Sequence, residues 1–321
     1  MKKIKIVTAY FDIGRADSEV SPRSNNEYID YFRFWAGIQN EMVIYCQSDY
    51  EMQIRSIREE HGLENKTEII TVDNVFGIEP SLLARMEKIQ NDTSFSDFRY
   101  YSKAMSNNAK YDYIMLMKYW FMADAARRSK EDCFIAWNDF GYNHGNAYYK
   151  NSKDFSFEWE YDFPERINAF CLKNPDSQSL IDSLQFQCDC FIGSPIIIPK
   201  KMCEWSWNNI KGAMEALLDI GCIDDDQHLQ LMVYKKNPEL YSIVICDWFE
   251  AFSICSDRKF SLNKKDGKSH KGEKRYVKLW LKRVKRRIRL CLMKFRKQDK
   301  DVVRKDDFLI RTETRKIKYY G

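Results

Sequence analysis

The sequence predicts an α/β fold organised around a parallel sheet. Three observations carry this. Short apolar runs recur early in the chain, amphipathic stretches separate them, and a later apolar run hands a carboxylate to a glycine-containing loop. Residues 3–9 (KIKIVTA) alternate basic and apolar side chains and then turn apolar, a first strand. Residues 26–38 carry aromatics at helical spacing. Met42–Cys46 (MVIYC) is a second strand, followed by polar Gln47-Ser48-Asp49. Residues 52–61 read as a charged helix, and residues 67–72 (TEIITV) as a third strand ending at Asp73. Strand, helix, strand, helix, strand in this order implies parallel pairing with right-handed crossovers.

Residues 81–107 read as a long helical stretch with a polar interruption near Asp92. Residues 113–127 are helical and apolar on most sides, so Met115, Met117, Trp120 and Met122 read as core rather than as a cofactor box. Lys118 is a charge inside that apolar helix. It either reaches out to solvent or meets a buried anion. Phe134–Trp137 (FIAW) is a buried strand. It ends at Asn138-Asp139, with Gly141 and Gly145 in the loop beyond. A buried strand that delivers a carboxylate at its end is how open α/β sheets build ligand sites. The plainer reading is that Asp139 satisfies turn amides.

Residues 148–163 are aromatic and irregular. Residues 187–198 read as one or two strands with a kink at Gly193-Ser194-Pro195, and Cys188 and Cys190 would face one side. Residues 200–219 read as a helix that stops before Gly221. Asp224-Asp225-Asp226 follow, three carboxylates that need a cation, a helix N-terminus or solvent. Asp224 or Asp225 would cap the next helix, which runs through Tyr234. Capping accounts for one acid and leaves two.

Composition excludes several classes. With 321 residues, 44% hydrophobic and 15% aromatic, the chain can bury a large core as one domain with an appendage or as two domains. Asp139-Phe140-Gly141 spells the metal-binding triplet of protein kinases, but the glycine loop, Val-Ala-Ile-Lys and His-Arg-Asp elements are missing. No Gly-x-Gly-x-x-Gly fingerprint or Walker loop is present. The 10 cysteines include no Cys-x-x-Cys pair and read as reduced core thiols. No run approaches the roughly 18 apolar residues of a membrane span. The opening MKKIKIVTAY is too short and interrupted for a signal peptide, so a cytoplasmic location is expected.

Charge divides the chain. From Asp257 onward there are 25 Lys and Arg against 8 Asp and Glu, whereas residues 1–256 hold 27 against 39. Residues 256–273 read as a linker. Residues 274–321 read as a basic amphipathic tail, with Val277, Trp280, Leu281, Val284, Ile288, Cys291, Leu292 and Phe295 at helical spacing. An anionic membrane surface is the first reading of its partner, at the inner face of the cytoplasmic membrane. Docking on the acidic body or self-association comes second. Nucleic acid comes last, because a nucleic-acid arm needs no apolar stripe.

Four blocks then resemble a known family. Thr8-Ala9-Tyr10-Phe11-Asp12-Ile13-Gly14-Arg15, Tyr31 to Ala36, Trp137 to Gly141, and Asp225-Asp226-Gln227 with Asn237-Pro238-Glu239-Leu240 are similar, in this order, to the HtrL/YibB (WlaTC/HtrL) family of bacterial glycosyltransferase-like proteins. The resemblance covers roughly residues 1–250. It implies a GT-A-like nucleotide-sugar-binding domain over residues 1–255, with a mixed, largely parallel central sheet. It implies transfer of a sugar from a nucleoside diphosphate donor, UDP-sugar first, to a lipopolysaccharide, capsule or other surface-glycan acceptor.

By this resemblance Thr8, Ala9, Tyr10, Asp12 and Arg15 are nucleotide-sugar contacts, joined by Lys118 and Asp139. Asp139 stands where such enzymes carry an Asp-x-Asp metal motif, but here residue 141 is glycine. One carboxylate would then share Mn2+ or Mg2+ with diphosphate oxygens and water, with Asn143 or His144 as helpers. Asp226 is the first candidate for the catalytic base and Asp225 the second. A nucleotide-sugar binder without activity, or a scaffold of a polysaccharide assembly complex, are the alternatives.

Overall fold

The computed structural model describes residues 1–17, 22–92, 99, 108–144 and 147–263. The basic amphipathic tail and the second half of the expected linker lie outside the described residues, as does most of the 93–107 segment of the expected long helix.

Seven strands form one sheet in the order β3-β2-β1-β4-β6-β5-β7. They are β1 (Ile4–Tyr10), β2 (Met42–Cys46), β3 (Thr67–Thr71), β4 (Phe134–Trp137), β5 (Ile167–Cys171), β6 (Phe191–Pro199) and β7 (Tyr241–Ile245). β1 runs parallel to β2 and β4, β2 to β3, and β5 to β7. Only β6 is antiparallel, wedged between β4 and β5. This is the mixed, largely parallel central sheet that the sequence led us to expect. β5 and β7 are two strands the sequence pattern did not mark. The stretch with the Gly193-Ser194-Pro195 kink is one unbroken strand, and Cys188 and Cys190 precede it rather than alternate within it.

Alternation along the strands feeds two cores. Val7, Ile135 and Trp137 face one side with helices α3 (Pro80–Gln90), α4 (Ala109–Arg128), α6 (Cys203–Asp219) and α7 (Asp226–Lys236). Ile4, Ile6, Tyr10, Phe134 and Ala136 face the other, against α1 (Asn25–Trp35) and α2 (Ser48–Glu59). A seventh helix, α5 (Leu180–Phe186), lies between β5 and β6 in sequence. α1 starts with a capping box, Ser24 on the Glu27 amide and the Glu27 carboxylate on Ser24. α4 is apolar on most sides because it is buried on most sides.

Residues 256–263, expected to open a linker, are tied to the body. Leu262 bridges to Tyr149, the Phe260 ring lies 4.9 Å from that of Tyr149, and the Ser261 amide donates to Asp154 at 2.6 Å. The compact unit is Met1–Asn263.

Because β1 and β4 are adjacent and parallel, their carboxyl ends open at the same edge. That edge is where open α/β sheets hold ligands.

Candidate active site

A cavity of about 520 Å³ opens there. β1 contributes Ala9 and Tyr10 and the loop beyond it contributes Asp12 and Arg15. α4 contributes Tyr111 and Lys118, the β4 loop Asp139, β6 Gly193 and Ser194, and the start of α7 Asp225, Asp226 and Gln227. Thus eight of the nine residues singled out in the sequence line one cavity. Thr8 does not: it is fully buried beneath it, and its hydroxyl has no partner among the described residues.

The β1 end is a fixed wall. Tyr10 stacks on Phe140 at 4.9 Å and donates its hydroxyl to Asn25 at 2.9 Å. Asp12 accepts from Asn25 Nδ2 at 2.8 Å and from the Gly14 amide at 2.9 Å, so its carboxylate holds the loop. Gly14 sits at φ 76°, the left-handed region that glycine reaches without strain. The loop carries Arg15, whose guanidinium lies 5.4 Å from the centre of the Tyr111 ring.

The chemistry-bearing centre is an ion cluster at the cavity floor. Lys118 Nζ lies 3.0 Å from Asp226 Oδ2, 3.2 Å from Asp139 Oδ1 and 3.3 Å from the Gly193 carbonyl. Its side chain is 2% exposed, so it meets buried anions and does not snorkel. Burial works against its charge, but Asp139 and then Asp226 outweigh it and hold the ammonium above its ordinary range. Asp226 is pushed up to about 7 by burial, with Lys118 pulling down and Asp225 and Asp139 pushing further up.

Gly193 is what lets β6 come this close. A Cβ there would stand 3.0 Å from Asp226 Oδ2 and 3.3 Å from Lys118 Nζ. Asp139 is held from its other side. Its amide donates to Ser194 Oγ at 2.8 Å, and its Oδ1 accepts from Trp137 Nε1 at 2.7 Å. Its side chain is 39% exposed, and its second oxygen has no protein partner among the described residues.

Behind this cluster lies a second one that sequence reasoning missed. Asp224 is buried and bonds Arg99 Nη1 at 2.8 Å and His228 Nδ1 at 2.9 Å. Burial opposes its charge, but His228 and Arg99 hold its pKa below the ordinary value. His228, opposed by burial and favoured by Asp224, is raised to about 9 and is therefore protonated at neutral pH. Asp112 on α4 is also fully buried. Burial first, then Asp225 and Asp224, raise its pKa well above the ordinary carboxylate value. The helical spacing of Asp224 and His228, four residues apart, was the readable signal for this network. Nothing local marks Arg99 or Asp112. The cap of α7 is Asp225, which accepts from the Gln227 amide at 3.2 Å; Asp224 is not the cap.

Asp224, Asp225 and His228 bring potential ligand atoms within 4.8 Å of one another, a grouping that could meet a metal ion. Asp224 already serves Arg99, His228 and the Asp225 amide, whereas His228 Nε2 is buried without a partner among the described residues. Asn143, a suggested helper, is used up. Its Oδ1 accepts the Tyr148 and Tyr149 amides at 2.8 and 2.9 Å, and its Nδ2 donates to the Tyr149 carbonyl. His144 does line the cavity.

Residues 2–257 match the family described as "Bacterial protein of unknown function (HtrL_YibB)". The chain belongs to the HtrL_YibB family. Protein HtrL of Escherichia coli (strain K12) is 27% identical over 267 residues, covering 77% of this chain and 90% of that protein. Among solved structures the chain is similar to mouse xyloside xylosyltransferase 1 in its apo form. That match has 11% identity and a TM-score of 0.40, over 82% of this chain and 98% of the other. It is also similar to the PaToxG glycosyltransferase, with 11% identity and a TM-score of 0.33, over 74% and 70%. All the residues of the two ion clusters, Lys118, Asp139, Asp226, Arg99, Asp224 and His228, fall inside the matched family region.

Proposed function

We propose that this HtrL_YibB protein is a glycosyltransferase that uses a nucleoside diphosphate sugar, UDP-sugar first, and passes the sugar to a hydroxyl of a surface glycan such as lipopolysaccharide or capsule. The observation that carries this is the buried Lys118 between Asp139 and Asp226 on the floor of a sheet-edge cavity. An ammonium held charged there balances the negative charge that collects on a departing diphosphate. Arg15, at the cavity wall, adds a second cation for the donor. Asp226, at about 7, is matched to taking a proton from an acceptor hydroxyl near neutral pH. Asp139 fits a role as one ligand of Mn2+ or Mg2+: it is the partly exposed carboxylate of the cluster and keeps one oxygen without a protein partner among the described residues. A divalent ion held by Asp139 would supply further charge neutralisation to the diphosphate.

The test is release of nucleoside diphosphate from a panel of nucleotide sugars, with and without manganese, by the intact chain and by Asp226→Asn and Asp139→Asn. Turnover that both substitutions abolish supports the reading. Donor binding without any turnover would favour a second reading, a nucleotide-sugar-binding protein without activity. The glycine at position 141, in place of a second motif carboxylate, is the observation on that side.

The basic tail supports a further part of the reading, attachment to an anionic membrane surface at the cytoplasmic face. Its excess of Lys and Arg and its apolar stripe are the reasons. Co-sedimentation with anionic vesicles, compared between the intact chain and a chain ending at Asn263, tests it. Equal binding of the two would remove the membrane role.

A further inference from the structure

The mouth of the cavity holds an exposed tryptophan on a strained, doubly clamped turn, which the donor reading leaves unused. Trp248 lies three residues past the end of β7, lines the cavity and is 39% exposed. The next residue, Phe249, has φ 67°, a left-handed conformation that is a genuine outlier for a bulky side chain. Its carbonyl accepts two tyrosine hydroxyls, Tyr142 at 2.9 Å and Tyr149 at 2.5 Å. The Tyr142 and Phe249 rings meet edge to face at 5.3 Å, and His144 stands 5.4 Å from Phe249.

The opposing loop is strained too, with Asn143 at φ 66° and His144 at φ 33°. Strain of this kind persists where surrounding contacts over-determine it, and it collects at ligand clamps. Here the clamped turn presents a large indole, partly open, at the edge of a cavity with both apolar and charged lining. Such a ring offers a large, flat apolar face with one polar handle.

In the sheet, β7 lies on the far side of β4, β6 and β5 from β1. The β1 end carries Arg15 and the Asp12 loop, the end to which the proposed function assigns the nucleotide. Lys118, Asp139 and Asp226 come from α4, the β4 loop and α7 and occupy the floor. Trp248 follows the strand at the opposite edge, and its neighbour Phe249 packs on Tyr142 and His144 of the loop after β4.

We infer that Trp248 is the platform of an acceptor subsite, which binds the apolar face of a pyranose ring in the glycan that receives the sugar. A sugar ring has a C–H face that stacks on a flat aromatic surface and a rim of hydroxyls for the polar groups around it. An anionic acceptor would gain nothing from an exposed indole face, whose negative quadrupole favours C–H and cationic groups. The identification of the ligand as an acceptor rests on the glycosyltransferase reading; the stacking site itself does not.

The test uses the intact chain and two probes, UDP for the donor end and a set of methyl glycosides (glucoside, galactoside, N-acetylglucosaminide) for the platform. Binding is read by ligand-observed NMR and by tryptophan fluorescence, for the wild type, Trp248→Ala and Trp248→Phe. At least one glycoside should bind the wild type, with its C–H face closest to protein. Trp248→Ala should weaken it about ten-fold or more, as truncation of a central aromatic anchor does, and Trp248→Phe should restore part of the loss.

UDP affinity should stay within about two-fold of wild type, as expected where no contact is removed. Equal weakening of UDP and glycoside would make the ring a nucleobase platform and overturn the proposal. So would glycoside binding that ignores the substitution, or no glycoside binding at all. Trp248-dependent glycoside binding by a chain that neither binds UDP nor turns over a nucleotide sugar would sustain the platform and sink the transferase reading.

Discussion

Two buried ion clusters lie side by side in this protein, and they are built from neighbouring residues to opposite ends. In one, Asp224 is closed in by Arg99 and His228, and its pKa is lowered. In the other, Asp226 shares Lys118 with Asp139, and its pKa is pushed up to about 7. Two residues apart in sequence, the two carboxylates differ in how fully cations and donors satisfy them. The closed cluster holds the start of α7 in place. The open one keeps a proton exchangeable and a carboxylate reachable from the cavity. A buried charge that is fully paired is a structural device, whereas one that is partly paired at a cavity wall is available for chemistry.

The largest effects should come from the open cluster and appear in turnover. Asp226→Asn removes the group assigned to proton transfer and should lower turnover by about 100-fold or more, within the 10²–10⁴ that general base catalysis contributes. Asp139→Asn should abolish transfer while the thermal midpoint moves little, since its side chain is partly exposed. Steady-state kinetics beside thermal unfolding read both quantities. Full turnover in either variant would remove that residue from the mechanism.

The closed cluster should respond in the other quantity. Asp224→Asn leaves the Arg99 guanidinium and the His228 imidazolium without their anion. Breaking one partner of a buried pair typically costs about 3–5 kcal/mol, so denaturant unfolding should show a loss of that order. If enough fold survives to assay, the turnover per folded molecule should fall far less than in Asp226→Asn. A stability within a few tenths of a kcal/mol of wild type would mean that Asp224 is not the keystone described here.

The same contrast should show in pH. Asp226 is raised from 3.8 to about 7, so the folded state keeps a proton that the unfolded chain releases. Its contribution to stability is fullest below about 4 and falls as pH rises through 7. His228 is raised from 6.5 to about 9, so its contribution is complete below 6.5 and is lost as pH rises through 9. Activity should move the opposite way over the first window, rising through about 7 as Asp226 loses its proton. Asp226→Asn should flatten the lower stability limb and His228→Gln the upper one. Profiles of unfolding free energy and of kcat/KM against pH, on the same three proteins, would separate the limbs. An activity that falls through neutral pH contradicts the base assignment.

The sequence made the first half of the sheet readable, because each of β1, β2 and β3 is a compact apolar run separated by helix-period segments. β4 and its Asp139 were readable for the same reason. β5 and β7 were not. INAFC and YSIVI are five residues each, and their pairing is with each other across some seventy residues and with an inserted antiparallel β6.

At the site, residues announced by an odd context were found: Lys118 in an apolar helix, and the acid triplet before α7. The division of labour within the triplet was not. It is imposed by Arg99 and Asp112, which reach Asp224 and its neighbours from more than 100 residues away in sequence. Trp248 also had no local mark, since only the cavity gives its exposure a meaning.

The smallest expected effect belongs to the residue between the two clusters, and it is the most discriminating. Asp225 is the N-cap of α7, with its carboxylate accepting the Gln227 amide at 3.2 Å. Its side chain also stands 3.6 Å from His228 Nδ1. Asparagine caps a helix about as well as aspartate, so Asp225→Asn should change stability by only a few tenths of a kcal/mol, and Asp225→Ala by about 1 kcal/mol. If Asp226 is the base, Asp225→Asn should also leave most of the turnover intact.

The three aspartates would then answer three different measurements: turnover at 226, stability at 224, and neither strongly at 225. Should Asp225→Asn instead match Asp224→Asn in stability, and both be rescued or worsened by added manganese, then Asp224, Asp225 and His228 would be acting as one metal centre. The separation into a closed and an open cluster would fall with that result.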